Sequence, residues 1–182
     1  KRFAMAEMGY AYFATHGYAP IGFDHFAKPG GDPLARAALD GTLRRNFQGF
    51  TDDPSDILIG LGASAISSFP ELLAQNEKNS GRYRMLSSRS ALSANRGVIR
   101  TADDRRRGAI IERLLCRGRA QLSTDILSSV GKALQPFAER GLVSITGHRL
   151  EILPEGLPYA RTIASLFDAH RQPIARQFSS AV

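Results

Sequence analysis

A short β-branched run that ends in closely spaced glycines constrains this chain more than any other feature. Asp56-Ile57-Leu58-Ile59 leads directly into Gly60-Leu61-Gly62-Ala63-Ser64. A strand that ends in small residues lets a ligand approach the backbone closely. The same pattern fits a plain strand-to-loop turn, and it lacks the third glycine of a dinucleotide fingerprint. Upstream, Arg44-Arg45-Asn46-Phe47-Gln48-Gly49-Phe50 sets cations, amides and aromatics beside a flexible glycine. Thr51 to Asp56 carries turn chemistry.

The flanking segments decide what such a strand can join. Phe3, Ala6, Tyr10, Phe13 and Ala14 recur at helical spacing, and Gly17 is a natural stop. Ile21 to Phe23 then reads as a short strand with Asp24 and His25 at its C-terminal end. That order matches one αβ step of a barrel or sheet, where polar residues at the strand end face the ligand side. A mutually satisfied structural pair is the competing reading of Asp24 and His25. Asp32-Pro33 caps and starts a helix that Gly41 ends. Two strands and two helices are too few to close a barrel, so this segment reads as an orphan of missing strands. Its uncovered edges and apolar face predict dimers or aggregates in solution.

After Ser67 the pattern changes. Ser68-x-x-Glu71 matches a capping box, and Asn76 offers a later helix start. A helix is expected through Tyr83 and Leu86. Thr101-Ala-Asp-Asp104 caps a strong helix with Ile110, Ile111, Leu114 and Leu115 as its buried stripe. Cys116 extends that apolar end as a small core residue. Leu127 to Arg140 is amphipathic, with Leu134, Phe137 and Ala138 inward. Leu142–Thr146 and Leu150–Leu153 flank Gly147-His148-Arg149 as a β-hairpin. Pro154-Glu155-Gly156 starts a long final helix through Ile163, Leu166, Phe167 and Ile174, interrupted near Pro173. Helix, helix, hairpin, helix is a winged-helix-like order.

Composition narrows the partners. The 182 residues carry a formal charge of +7, which suits nucleic acid, anionic lipid or an acidic small molecule, or else a solvated basic surface. The helix before the hairpin opposes Lys132 and Arg140 with Asp125 and Glu139, so it is a poor neutraliser of phosphates. Nucleic acid is therefore not expected as a partner. No apolar run approaches the ~18–20 residues of a membrane span, and no signal peptide is visible. One cysteine excludes an intramolecular disulfide and suits a cytoplasmic setting. The chain opens on Lys1 inside a helical pattern, as a piece of a longer protein would.

Three segments together resemble a known family. They are Ile21-Gly22-Phe23-Asp24-His25-Phe26-Ala27-Lys28-Pro29, Arg45-Asn46-Phe47-Gln48-Gly49-Phe50-Thr51 and Gly60-Leu61-Gly62-Ala63-Ser64-Ala65-Ile66-Ser67. Ala74-Gln75-Asn76, Arg96-Gly97, Thr101 to Asp104 and Leu115-Cys116 follow in order. The set resembles the C-terminal part of bacterial oxygen-independent coproporphyrinogen III oxidases, radical SAM enzymes. The resemblance implies an α/β fragment of an incomplete radical-SAM barrel over residues 1–67. A mostly helical, winged-helix-like covering domain follows over 68–182. It further implies S-adenosyl-L-methionine and a 4Fe–4S cluster in the complete enzyme. The cluster's Cys-x-x-x-Cys-x-x-Cys motif is absent here, so the rest of the barrel is expected upstream and the fragment alone is expected to be inactive. The substrate would be coproporphyrinogen III, decarboxylated to protoporphyrinogen IX in haem synthesis.

By motif, Ile66 corresponds to the isoleucine lining the S-adenosylmethionine pocket, and Phe47 and Gln48 to the aromatic and amide of the active centre. Apolar walls exclude water from a reactive centre, and a neutral amide orients polar groups without giving up a proton. The family carries Tyr more often where this chain has Phe50. Arg44, Arg45 and Lys28 are the candidates for pairing with propionates, on charge and position. A related haem chaperone is the alternative reading. The Asn-Phe-Gln-Gly-Phe and Asp-His-Phe-Ala-Lys-Pro segments resemble the oxidase more closely. A winged-helix nucleic-acid module is a third reading, disfavoured by its neutral helix.

Overall fold

The computed structural model describes residues 2 to 171. Helix α1 (Arg2–Thr15) leads to strands β1 (Ala19–Ile21) and β2 (His25–Ala27), then helix α2 (Pro33–Asp40). Strands β3 (Arg44–Arg45), β4 (Phe50–Thr51), β5 (Ile66–Ser68) and β6 (Leu72–Asn76) precede helix α3 (Ser80–Ser88) and strand β7 (Ala94–Ile99). Helix α4 (Ala102–Arg117), strand β8 (Arg119–Gln121) and helix α5 (Thr124–Glu139) follow. The hairpin β9 (Val143–Thr146) and β10 (Arg149–Ile152) and helix α6 (Ala160–Ala164) complete the order. The fold is mixed α/β. Its sheets are small and antiparallel, and no barrel closes among the described residues.

The chain forms two compact units, residues 1–53 with 107–182, and residues 54–106. This differs from the expected division at 67/68. Strand β5, which spans that boundary, pairs with β6, and β6 pairs with β7, so the backbone ladder carries the second unit onward.

In the first unit the expected αβ step is instead a helix followed by an antiparallel hairpin. Gly22 takes φ 59°, a left-handed conformation that turns the chain back, so Ile21 faces His25 across the pair. His25 therefore begins a strand rather than ending one. The α2 boundaries follow their signals. Asp32 accepts from the amides of Leu34 and Ala35 at 2.8 and 3.4 Å, and Gly41 closes the helix at φ 69°. Ile21, Ala27, Ala35, Ala37, Leu43 and Cys116 form one buried cluster with Phe50 against it.

A larger cluster joins α4, α5, the β8–β10–β9 sheet and the last turns, with Leu114, Leu134, Leu150 and Phe167 almost fully buried. Thr101 and Asp104 cap α4 reciprocally: Thr101 Oγ1 accepts from the Asp104 amide at 3.1 Å, and Asp104 Oδ2 accepts from the Thr101 amide at 2.8 Å. Along α5, Ile126, Val130 and Leu134 are inward, Phe137 packs partly, and Ala138 is exposed, contrary to expectation. The hairpin forms around Gly147-His148, with Arg149 opposite Thr146. Strand β8, which joins β10 on its other side, alternates with Ala120 inward but is only three residues long, too short to read from sequence. The long final helix is not formed. Residues Pro154–Tyr159 wind as a 3₁₀ turn, α6 runs five residues, and Ser165–Phe167 is 3₁₀ again. Pro154 fits the first helical position, whereas Pro158 removes an amide donor that a regular α-helix needs, which favours the tighter turn. Ile174 and Pro173 lie outside the described residues.

The second unit is built differently. The β-branched run Asp56–Ile59 lies antiparallel to the end of β5 but meets it in a single bridge, Leu58 to Ser68; two residues on, the Gly60 amide donates to the Ser67 side chain in place of a further rung. Ser68-x-x-Glu71 is a strand and turn, not a helix cap; the Phe69 amide donates to the Leu72 carbonyl at 2.8 Å. The α3 N-cap is Asn79, whose Oδ1 accepts from the Arg82 amide at 3.0 Å. No described apolar side chain of this unit is buried, and Leu61 and Leu92 are 87% and 94% exposed. The buried residue is Glu77, 8% exposed. Its carboxylate accepts from the Asn79 amide and from Asn95 Nδ2, both at 2.9 Å, with Arg82 Nε 3.6 Å away. The Asn79 amide is the main cause that holds its pKa below the ordinary value of 4.5, with Arg82 adding to the shift and burial opposing it.

Two outcomes follow from this packing. A Cβ on Gly156 would collide with the Leu142 carbonyl oxygen and lie 3.1 Å from Ile152 Cγ2. Gly156→Ala should therefore lower stability by about 1–3 kcal/mol in denaturant titration. For Glu77, a depressed folded pKa gives stability that is present above the ordinary carboxylate value and is lost as pH falls through the folded value. Amide exchange across 54–106 should accelerate as pH drops below about 4.5, after correction for intrinsic rates, and Glu77→Gln should remove that dependence.

Candidate functional site

The β3–β4 hairpin carries most of the residues singled out by sequence. Arg44 pairs with Thr51 and Arg45 with Phe50. Asn46 shapes the tip: its amide donates to the Gly49 carbonyl at 2.9 Å, and its Oδ1 accepts from the Gln48 and Gly49 amides at 2.8 and 3.2 Å. Gly49, at φ 146°, completes the turn. An Asx-type turn of this kind needs no buried partner, so it lifts Phe47 and Gln48 clear of the unit. Gln48 is exposed, and Phe47 is 53% exposed, a large aromatic surface in contact with solvent.

The base of the hairpin is anchored by α4. Glu112 Oε1 accepts from Arg44 Nε at 2.9 Å and from the Arg45 amide at 3.1 Å. The Arg45 guanidinium lies over the Phe50 ring at 5.8 Å, and its Nε is buried without a hydrogen-bond partner. Phe50 also meets the edges of Phe23 and His25, with centroids 5.9 and 5.2 Å apart. Gly22 makes room for that ring; a Cβ there would collide with Phe50 and lie 2.8 Å from the Leu115 carbonyl oxygen. His25 Nδ1 pairs with Asp24 Oδ1 at 2.7 Å, the mutually satisfied arrangement. Lys28 directly follows β2, its Nζ 5.6 Å from the centre of the Tyr18 ring. Thus Arg44, Arg45, Phe47 and Gln48 share one hairpin, while Lys28 stands apart in the segment between β2 and α2.

Ile66 belongs to the second unit, opposite Gln75 on β6. The loop before it is held by polar contacts. Asn76 Nδ2 donates to the Gly60 and Gly62 carbonyls, each at 3.0 Å. The Gly60 amide donates to Ser67 Oγ and the Gly62 amide to Tyr83 Oη, also at 3.0 Å. The Ser64 amide donates to the Glu77 carbonyl at 3.0 Å, and Ser64 holds φ 63°. Gly60 presses on the Ile66 backbone so closely that a Cβ would lie 2.6 Å from its carbonyl oxygen. The Gly-x-Gly here serves close backbone approach within the loop.

Sequence reading missed Asn46, Asn76 and Glu112 as organisers of these segments. Asn46, three residues before a glycine, carries an Asx-turn signature that could have been read. Glu112 carries no local signal, since its partners are 67 and 68 residues away.

Cys116 cannot stand in for a cluster ligand set. It is the one cysteine of the sequence, it is buried, and burial together with the Glu112 charge pushes its thiol up to about 12. Among the described residues no group of His, Cys, Asp and Glu is placed to hold a metal ion. No described helix is long and apolar enough to cross a membrane.

No protein-family model matches the chain. It is 41% identical over 178 residues to an oxygen-independent coproporphyrinogen III oxidase of Cereibacter sphaeroides, covering 93% of this chain and 39% of the relative. A Bradyrhizobium diazoefficiens protein of the same name is 40% identical over 176 residues, covering 91% and 39%. Among solved structures, coproporphyrinogen III oxidase from Escherichia coli, described as a radical SAM enzyme, superposes with a TM-score of 0.83 at 33% identity. That match covers 91% of this chain and 40% of the other. The Glu112-anchored hairpin and the pinned Gly60–Ser64 loop thus lie in a chain homologous, over about 93% of its length, to about 39% of an oxygen-independent coproporphyrinogen III oxidase.

Proposed function

We propose that this chain is the C-terminal part of a cytoplasmic oxygen-independent coproporphyrinogen III oxidase. It would contribute the last α/β elements of an incomplete barrel and a winged-helix-like covering domain. The 41% identity over nearly the whole chain carries this reading. The family reaction turns two propionates of coproporphyrinogen III into vinyl groups, each with loss of CO₂, one proton and two electrons. S-adenosylmethionine with a 4Fe–4S cluster supplies the radical chemistry in the complete enzyme. The cluster does not fit the residues of this chain, which hold one buried, protonated thiol. Its ligands belong to the remainder of the protein.

This chain would supply walls and charge. Ile66 would present an aliphatic surface to the S-adenosylmethionine pocket, and the polar network around Gly60 to Ser64 keeps its strand in place. Phe47 would exclude water from the reacting propionate, and the Gln48 amide would orient a carboxylate without offering a readily transferred proton. Arg44, Arg45 and Lys28 would draw in the tetracarboxylate.

Supplied with its upstream sequence and assayed without oxygen, the protein should yield protoporphyrinogen IX. An upstream sequence without three cysteines at the Cys-x-x-x-Cys-x-x-Cys spacing would overturn the reading. Haem titration separates the chaperone reading, which requires stoichiometric haem binding and no decarboxylation. In the active protein, Arg45→Ala should raise the KM for the porphyrinogen by about tenfold and leave S-adenosylmethionine cleavage alone unchanged. Unaltered KM would remove Arg45 from the site. Gln48→Ala should lower kcat by about tenfold or more, read in the same assay.

A further inference from the structure

A second basic feature lies where the hairpin base meets α4. A cleft of about 240 Å³ is lined by Arg44, Glu112, Arg113 and Arg117, with Leu43 and Cys116 among the apolar lining. Three arginines and one glutamate thus border the same cleft. Glu112 is committed to the Arg44 side chain and to the Arg45 amide. Arg113 and Arg117 stand one helical turn apart on α4 and are both exposed. Among the described residues neither has an acidic partner. Like charges at that spacing repel, and the cost is relieved when an anion sits between them. Arg117, in the last turn, gains from the helix dipole; Arg113, a turn earlier, gains much less from it.

We propose that this cleft is an anion-binding subsite that takes a carboxylate carried on an apolar body. The guanidinium fork matches a carboxylate in two parallel hydrogen bonds, as a lysine would not. Leu43 and Cys116, both buried, give the cleft an apolar lining that suits a hydrocarbon arm. The negative charge of Glu112 in the wall selects against a compact multiply charged anion and tolerates a singly charged one. The inference rests on the reading above, in which the substrate bears four carboxylates, and assigns one of them to Arg113 and Arg117.

The test is a fluorescence titration of the protein with coproporphyrin III, the stable oxidised tetracarboxylate, and with its tetramethyl ester. The Arg113→Ala/Arg117→Ala variant should bind the acid about tenfold or more weakly, and the Arg113→Lys/Arg117→Lys variant should fall between the two. Lys132→Ala, a basic residue elsewhere, should bind as the unaltered protein does. The ester should bind both proteins alike. Equal affinity for the acid in the double alanine variant, or no binding by the unaltered protein, overturns the subsite. Inorganic phosphate that displaces the porphyrin as readily as succinate overturns the carboxylate assignment. Turnover judges the decarboxylase reading separately. Arginine-dependent binding without decarboxylation retains the subsite and refutes that reading; turnover with arginine-independent binding does the reverse.

Discussion

One oxygen of Glu112 ties the hairpin base to α4. It accepts the Arg44 guanidinium and the Arg45 amide together, so side chain and backbone of β3 are held at the same point. The pair is part-exposed, and an exposed ion pair by itself contributes little. Its value is geometric. The other face of α4 is locked by Ile110, Leu114 and Leu115 in the main core, while Cys116 packs into the smaller cluster under Phe50. Rigid packing on one side of the helix thus becomes a fixed position for the hairpin on the other. Phe47 and Gln48 inherit that position through only two more elements, the Asn46 turn and the Phe50 contacts.

What could be read from sequence follows from where each signal acts. The α2 cap at Asp32 and stop at Gly41, the Thr101–Asp104 box and the β9–β10 turn are local devices, and each sits within a residue or so of its expected place. Failures came where a partner distant in sequence decides. Asp56–Ile59 has strand composition, yet it shares only one bridge with β5, because the glycines that follow turn to side-chain partners after one rung. Ser68-x-x-Glu71 matches a helix cap, but the ladder to β6 claims Ser68 first. Ile21 to Phe23 has strand composition, yet Gly22 reverses the chain inside it at φ 59°. For the candidate site, the hairpin residues were visible as a motif, whereas the carboxylate that anchors them was one polar position among many on an amphipathic helix.

The two units contrast in what holds them. The first encloses aliphatic and aromatic side chains at nearly zero exposure. Residues 54–106 are organised by amide, hydroxyl and carboxylate contacts around Glu77, Asn76 and Tyr83, with no apolar side chain buried among those described. Directional hydrogen bonds can set loop geometry closely, as at Gly60 to Ser64, while each adds little net free energy.

That contrast has a calorimetric consequence. The heat-capacity increment of unfolding arises chiefly from hydrocarbon newly wetted by solvent. A segment whose apolar side chains are at most half-buried in the native state adds comparatively little to that increment when it opens. The opening of residues 54–106 therefore adds little curvature to a scanning trace, and most of the increment belongs to the two buried clusters of the other unit, around Leu134 and Phe167 and around Ile21 and Leu43.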